Sequence, residues 1–286
     1  MVLLLTALGF VAWRRTGNEP TYQGRKLSDW LDDAAYADPY SFLARAKAGQ
    51  AIQQIGTNAV PYLLGLLESP FTDMDGSLVQ WIKRQPWISD RTKDSLGDQS
   101  FRRWRQAEEG FSALGPKASP AAYKLIYLAG VQSVGLGSAP LHAIEKIGPG
   151  AVDPMIQSLT NTDRTAAGIP AMKLGAIFGL RMLRLERAVP NLLDCLDDSD
   201  ARTREESIQT LALIKPPQEA VVKRLIRALH DPEVAVSRAA ARALGGFGSP
   251  AASAIPDLRQ LRRTEPLRSE LDEAIAKIEG AIIAPP

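Results

Sequence analysis

Residues 143–159 read AIEKIGPGAVDPMIQSL. An apolar stretch ends at Gly148, small residues follow, and Pro154 leads into a second apolar stretch. The same order of features recurs in both directions: AIQQIGTNAVPYLLGLL (51–67), GFSALGPKASPAAYKLI (110–126), GLRMLRLERAVPNLLDCL (179–196), TLALIKPPQEAVVKRLIRAL (210–229) and ALGGFGSPAASAIPDLRQL (243–261). Pro61, Pro120, Pro154, Pro190 and Pro256 occupy the corresponding point, with Val222 standing in once. The successive separations, 59, 34, 36, 32 and 34 by subtraction, place four of five near the period of a two-helix repeat. The long first gap marks an insertion.

Each recurring residue has a mechanical role. Proline at the first helical position gives up an N–H that has no partner there, and its fixed φ suits helix entry. Gly56, Gly115, Gly148 and Gly248 provide the positive φ that ends the preceding helix. Apolar residues at i, i+3 and i+4, such as Leu192, Cys195 and Leu196 or Leu225, Ile226 and Leu229, make one face of each helix adhesive. Small residues such as Ala239, Ala240, Ala241 and Ala243 allow close helix approach. One hairpin cannot bury two such faces by itself, so the pattern predicts stacking on neighbours: an all-α solenoid, or superhelix, of about six hairpins. The expected boundaries are an anchor and linker over 1–20, an entry segment over 21–45 with a short helix around Leu27 to Leu31, the solenoid over 46–280 with a helical insertion over 71–104 and a closing helix near 267–279, and a tail over 281–286. Two stretches depart from the pattern: the Gly-rich VQSVGLGSAP (131–140) shortens or distorts a helix, and NTDRTAAGIP (161–170) forms a polar loop.

With 286 residues, 45% hydrophobic and 23% charged, the chain has material for a folded body. The net charge of +2 gives no global pull toward nucleic acid or anionic lipid, so any basic footprint is local. A single cysteine, Cys195, excludes an intrachain disulfide and a multi-cysteine zinc cluster, and two histidines, His142 and His230, exclude a His-rich metal site. No phosphate-binding Gly loop, HExxH or GxSxG is present. These observations imply no catalytic residue, no metal, no cofactor and no small-molecule substrate.

Val2 to Trp13 is an uncharged apolar run closed by Arg14 and Arg15. As a helix it covers about 18 Å, against a hydrocarbon core of roughly 30 Å. It is read as a signal anchor whose first residues precede Met1, over a cleaved signal or a buried N-terminal helix. The two arginines after the run favour a cytoplasmic body, unless charges upstream reverse the orientation.

The motifs resemble the HEAT family, in the short bacterial form called PBS-lyase-like HEAT. Asp231-Pro232-Glu233-Val234 followed by Arg238-Ala239-Ala240-Ala241-Arg242-Ala243-Leu244-Gly245 carries the closest likeness, and the resemblance covers roughly 46–280. The entry segment from Pro20 to Leu31 also resembles that of membrane-anchored bacterial HEAT-repeat proteins, which implies an anchored protein with an exported, periplasmic body. What the resemblance implies for function is a non-catalytic scaffold or adaptor that holds a protein partner on its concave face, lined by the second helix of each repeat. The alternatives are a nucleic-acid-binding HEAT-like protein with base-directed chemistry, which the near-neutral charge disfavours, and an accessory factor of a modifying enzyme.

Candidate partner-binding residues follow from aromatic and basic clustering. The insertion and its edge hold Trp81, Trp87 and Trp104, interleaved with basic residues that include Arg102, Arg103 and Arg105. Seven basic residues against three acids give the stretch 81–105 a local +4. Trp and Arg are over-represented at interface hot spots. The competing reading is two amphipathic helices folded onto the solenoid. Tyr62, Lys124 and Tyr127 are further surface candidates. Asp200 with Arg204, and Glu233 with Arg238, are assigned to a structural ladder of ion pairs between repeats, and Cys195 to a buried, inert position in an apolar stripe. His230 is expected to complement a helix C-terminus.

Overall fold

The computed structural model describes residues 19–36, 41–68, 90–132, 139–214, 219–262 and 268–283, with side chains of 90–100 and 132 excepted. The expected anchor, Trp81, Trp87 and most of the insertion lie outside the described residues. The chain divides into two units, Met1–Pro154 and Met155–Pro286.

The first unit opens with a feature that the helical pattern does not foretell. Strands β1 (Thr21–Tyr22) and β2 (Arg25–Lys26) pair antiparallel. Gln23 and Gly24, between them, both take positive φ, as a two-residue primed turn requires. Helix α1 follows over Leu27–Tyr36, longer than the expected short entry helix. Its start is fixed by Leu27 N–H donating to Pro20 O at 2.9 Å and Ser28 N–H to Glu19 Oε1 at 2.6 Å. Its apolar stripe, Leu27, Trp30, Leu31, Ala34 and Ala35, is buried.

Helical pairs then succeed one another: α2 (Phe42–Ile55) with α3 (Val60–Leu67), α4 (Asp90–Leu114) with α5 (Ala122–Gln132), and α6 (Ala139–Ile147) with α7 (Val152–Ser158), inside which the unit boundary falls. Helix α4 packs on α1, α2 and α3, and α6 packs on α4 and α5. The turns Gly56–Ala59, Gly115–Ala121 and Gly148–Ala151 are 3-10 helices stacked on one another. Gly110 lets α4 approach closely: a Cβ there would lie 2.3 Å from Leu63 Cδ2 and 3.1 Å from Leu31 Cδ2.

The second unit continues the pattern with α8 (Ala171–Leu183) and α9 (Val189–Asp194), α10 (Ala201–Ile214) and α11 (Glu219–Ala228), α12 (Val234–Phe247) and α13 (Ile255–Leu261), and the closing α14 (Arg268–Ile283). The first helices form a row, α8 on α10 on α12 on α14, and α9, α11 and α13 each pack on the first helix that follows. A Cβ on Gly245 would lie 2.9 Å from Ala274 Cα, so the α12–α14 contact is nearly backbone to backbone. The polar loop 161–170 is ordered by Thr165 N–H donating to Ile169 O at 2.9 Å and Arg164 donating to Gly168 O at 2.7 Å.

Gly56, Gly115, Gly148 and Gly248 all take positive φ. The prolines sit differently from the expectation. Pro61, Pro190 and Pro256 follow Val60, Val189 and Ile255 as the second helical residue, Pro154 is third in α7, and Pro120 lies inside a 3-10 segment. The physical reason holds at each place near a helix start, because all N–H groups of the first turn lack an intrahelical acceptor.

Candidate functional site

The basic and aromatic residues at the end of the insertion meet the chain's own entry helix. Arg102 makes a two-pronged contact with Asp32, Nε to Oδ1 at 3.2 Å and a terminal nitrogen to Oδ2 at 2.6 Å. Gln106 donates to the same Asp32 at 2.8 Å. The Arg102 and Arg105 guanidinium carbons stand 5.6 and 5.5 Å from the Tyr36 ring centre. Burial pushes the Tyr36 hydroxyl above its ordinary pKa, with Arg105 and Arg102 opposing it. Arg103 is half-buried.

Trp104 turns the other way. Its ring stacks on His142 with centroids 6.2 Å apart and planes 12° apart, and Phe101 meets it edge-on at 5.8 Å. The Trp104 Nε1 and His142 Nδ1 atoms are buried without a hydrogen-bond partner. Glu108 Oε1 is 3.9 Å from His142 Nδ1. His142, isolated in the sequence, thus joins α6 to α4.

Lys124 and Tyr127 are brought together on α5, with Nζ 5.5 Å from the ring centre. Lys124 also reaches Glu68 Oε1 at 2.9 Å. Tyr62 is half-buried on α3.

In the second unit, a ladder of ion pairs runs between successive repeats. Arg204 on α10 clasps Asp231, 2.8 Å by both prongs, and donates to Asp198 O at 2.9 Å. Arg238 on α12 reaches Glu270 on α14 at 2.9 Å. Lys173 on α8 pairs with Asp198. Asp200 does not pair with the Arg204 side chain. It caps α10, accepting from Thr203 N–H at 2.8 Å and Thr203 Oγ1 at 3.1 Å, and meets Arg164 at 3.3 Å. Glu233 donates its N–H to Asp231 Oδ1 at 2.9 Å. Lys173, Asp198 and Asp231 were missed by sequence reasoning. The signal was present: Lys173, Arg204 and Arg238 lie 31 and 34 residues apart, and Asp198 and Asp231 lie 33 apart.

Beside this ladder, a groove of about 460 Å³ runs along the first helices. Arg181, Arg238 and Arg242 wall it, Ala212 and Ala239 line it, and Leu213 stands 45% exposed at its edge. Arg181 is fixed by Glu206, at 2.5 Å, and by Thr210 Oγ1, at 3.1 Å. Arg242 is 65% exposed and lies 3.7 Å from Glu270. The groove carries contact chemistry and lacks a nucleophile beside a base. Among the described residues no group of His, Cys, Asp or Glu is arranged to hold a metal ion, and no helix is long and apolar enough to cross a membrane.

Stacked helical hairpins of one repeating plan define the class: this is an all-α repeat solenoid. Residues 189–277, which cover α9 to most of α14, match the model of HEAT repeats. A search of curated proteins finds no match. Among solved structures, an engineered protein is 15% identical with a TM-score of 0.39, covering 89% of this chain and 97% of its own. Human deoxyhypusine hydroxylase in complex with glycerol is 18% identical with a TM-score of 0.38, covering 89% and 96%. A designed armadillo repeat protein in complex with the peptide (KR)4 is 13% identical with a TM-score of 0.40, covering 89% and 100%.

Proposed function

We propose that the chain is a non-catalytic scaffold that holds a protein partner at a membrane, with the α8–α10–α12 groove as a principal contact surface. The observation that carries this reading is the combination of Leu213, exposed at the groove edge, with the arginines of the walls. Arginine is over-represented among interface hot spots, and Leu213 adds an apolar side chain that the fold leaves unburied. The groove floor is alanine, so a partner's side chains or a helix can approach the backbone closely. Membrane attachment rests on the Val2–Trp13 run, and Trp81 and Trp87 are assigned the same partner-binding role on sequence grounds.

The test is affinity capture with the full chain and with Leu213→Asp and Arg242→Glu, two exposed positions whose change leaves the core intact. Proteins captured by the parent and lost from both variants at unchanged melting temperature support the reading. Identical capture by parent and variants contradicts it.

A further inference from the structure

The end of the first unit beside the β-hairpin carries a surface that the scaffold role leaves unexplained. Phe42 is 82% exposed and Leu43 67%, consecutive residues in the first turn of α2. They border an open groove of about 970 Å³ whose other walls include Tyr22, Arg25, Trp30 and Lys47. Leaving two large apolar side chains in water costs stability without return to the fold, which marks a surface meant to be covered.

The charges decide what covers it. Helix α2 carries Lys47 at the groove and no acid, and Lys26 stands on the hairpin. The acids of α1 are turned to internal tasks. Asp33 is held by Arg25 at 2.8 Å, Asp32 by Arg102 and Gln106, and Asp29 Oδ2 accepts from Lys26 N–H at 3.3 Å. Arg25 lies 4.0 Å above the Trp30 ring, and Trp30 Nε1 donates to Tyr22 O at 3.3 Å, so the hairpin is pinned to α1 beside the groove.

We infer that this end of the first unit lies on an anionic lipid surface, with Phe42 and Leu43 entering the headgroup region and the surrounding Lys and Arg side chains meeting lipid phosphates. The inference rests on the reading of Val2–Trp13 as a membrane segment. Apolar side chains rimmed by cations are the chemistry of interfacial binding, where hydrophobic burial and attraction to anionic lipid add.

The experiment uses the full chain with Phe42→Cys labelled by a polarity-sensitive fluorophore, the buried Cys195 staying unlabelled. Vesicles of phosphatidylcholine, with or without phosphatidylglycerol, are added, and flotation is followed in parallel. The emission is expected to shift to the blue with phosphatidylglycerol vesicles, less with phosphatidylcholine alone, and not from a label at Lys117→Cys. Lys26→Glu with Lys47→Glu is expected to remove the phosphatidylglycerol-dependent part of the shift. Flotation without a shift at position 42 overturns the inference and leaves the membrane segment standing, whereas no flotation overturns both. An equal shift at position 117 overturns it as unspecific partition. A shift that needs no vesicles and grows with protein concentration assigns the patch to a second copy and overturns it as well.

Discussion

Arg204 and Asp231, 27 residues apart, form a two-pronged ion pair between consecutive repeats, with both contacts at 2.8 Å and side-chain exposures of only 12% and 10%. The pair joins α10 to the turn before α12. Asp231 also accepts the Glu233 N–H, so one carboxylate holds both the turn and its neighbour. Removing one partner of a shielded pair strands the other. Asp231→Ala is therefore expected to cost about 2–3 kcal/mol in chemical denaturation, above the value of a neutral hydrogen bond and below that of a fully buried pair.

The same carboxylates set an acid limit. Burial alone would raise Asp231, but the Arg204 hydrogen bond, the Glu233 N–H and the Arg204 charge outweigh it and hold the carboxyl below its ordinary 3.8. Asp200 follows the same logic: burial raises it, the Thr203 and Arg164 contacts outweigh that, and the net shift is downward. A carboxyl lowered in the native state binds its proton first in the unfolded chain. Its stabilisation is complete above the ordinary value and is lost as pH falls through 3.8 toward the native value. Denaturation midpoints across the acid range are expected to fall less steeply for Asp200→Asn with Asp231→Asn than for the parent.

Two adjacent glycines in α12 separate packing from backbone entropy. Gly245→Ala places a Cβ 2.9 Å from the Ala274 backbone and forces α14 away, an overpacking cost of roughly 1–3 kcal/mol. Gly246→Ala meets nothing within 4 Å and is expected to stabilise the helix by about 0.5–1 kcal/mol. Paired thermal melts of the two variants give opposite shifts.

Cys195 is 5% exposed, and burial pushes its thiol up to about 11, despite the nearby Lys173 charge. Neither access nor thiolate is available near neutral pH. Native protein is expected to resist a thiol reagent, with reaction appearing only as denaturant unfolds the second unit.

The hairpins were legible because their signals are local. A glycine of positive φ and a proline of the first helical turn act within a few residues, so Gly148 and Pro154 announce their turn whatever lies around them. The β-hairpin was not, since Gln23 takes the positive φ that a sequence reader expects of Asn or Asp. The ladder's individual partners were not legible. Asp200 and Arg204 are neighbours along the chain, yet the Arg204 side chain points to the next repeat, which only the stacking register determines. Arg102 and Arg105 drew notice as free basic residues, and their engagement by Asp32 and Tyr36 depends on α1 lying against α4, a packing that composition does not encode. The groove beside Leu213 belongs to this second kind, assembled from three helices of unremarkable sequence.

The central claim, that the first-helix groove of the second unit holds a protein, is tested most directly by site-specific photo-crosslinking in the producing cell. A photoreactive residue at Leu213 is expected to yield a discrete crosslinked species that is missing when the same residue replaces Lys117. Equal labelling at both positions, or none at Leu213 in a folded chain, would contradict the account.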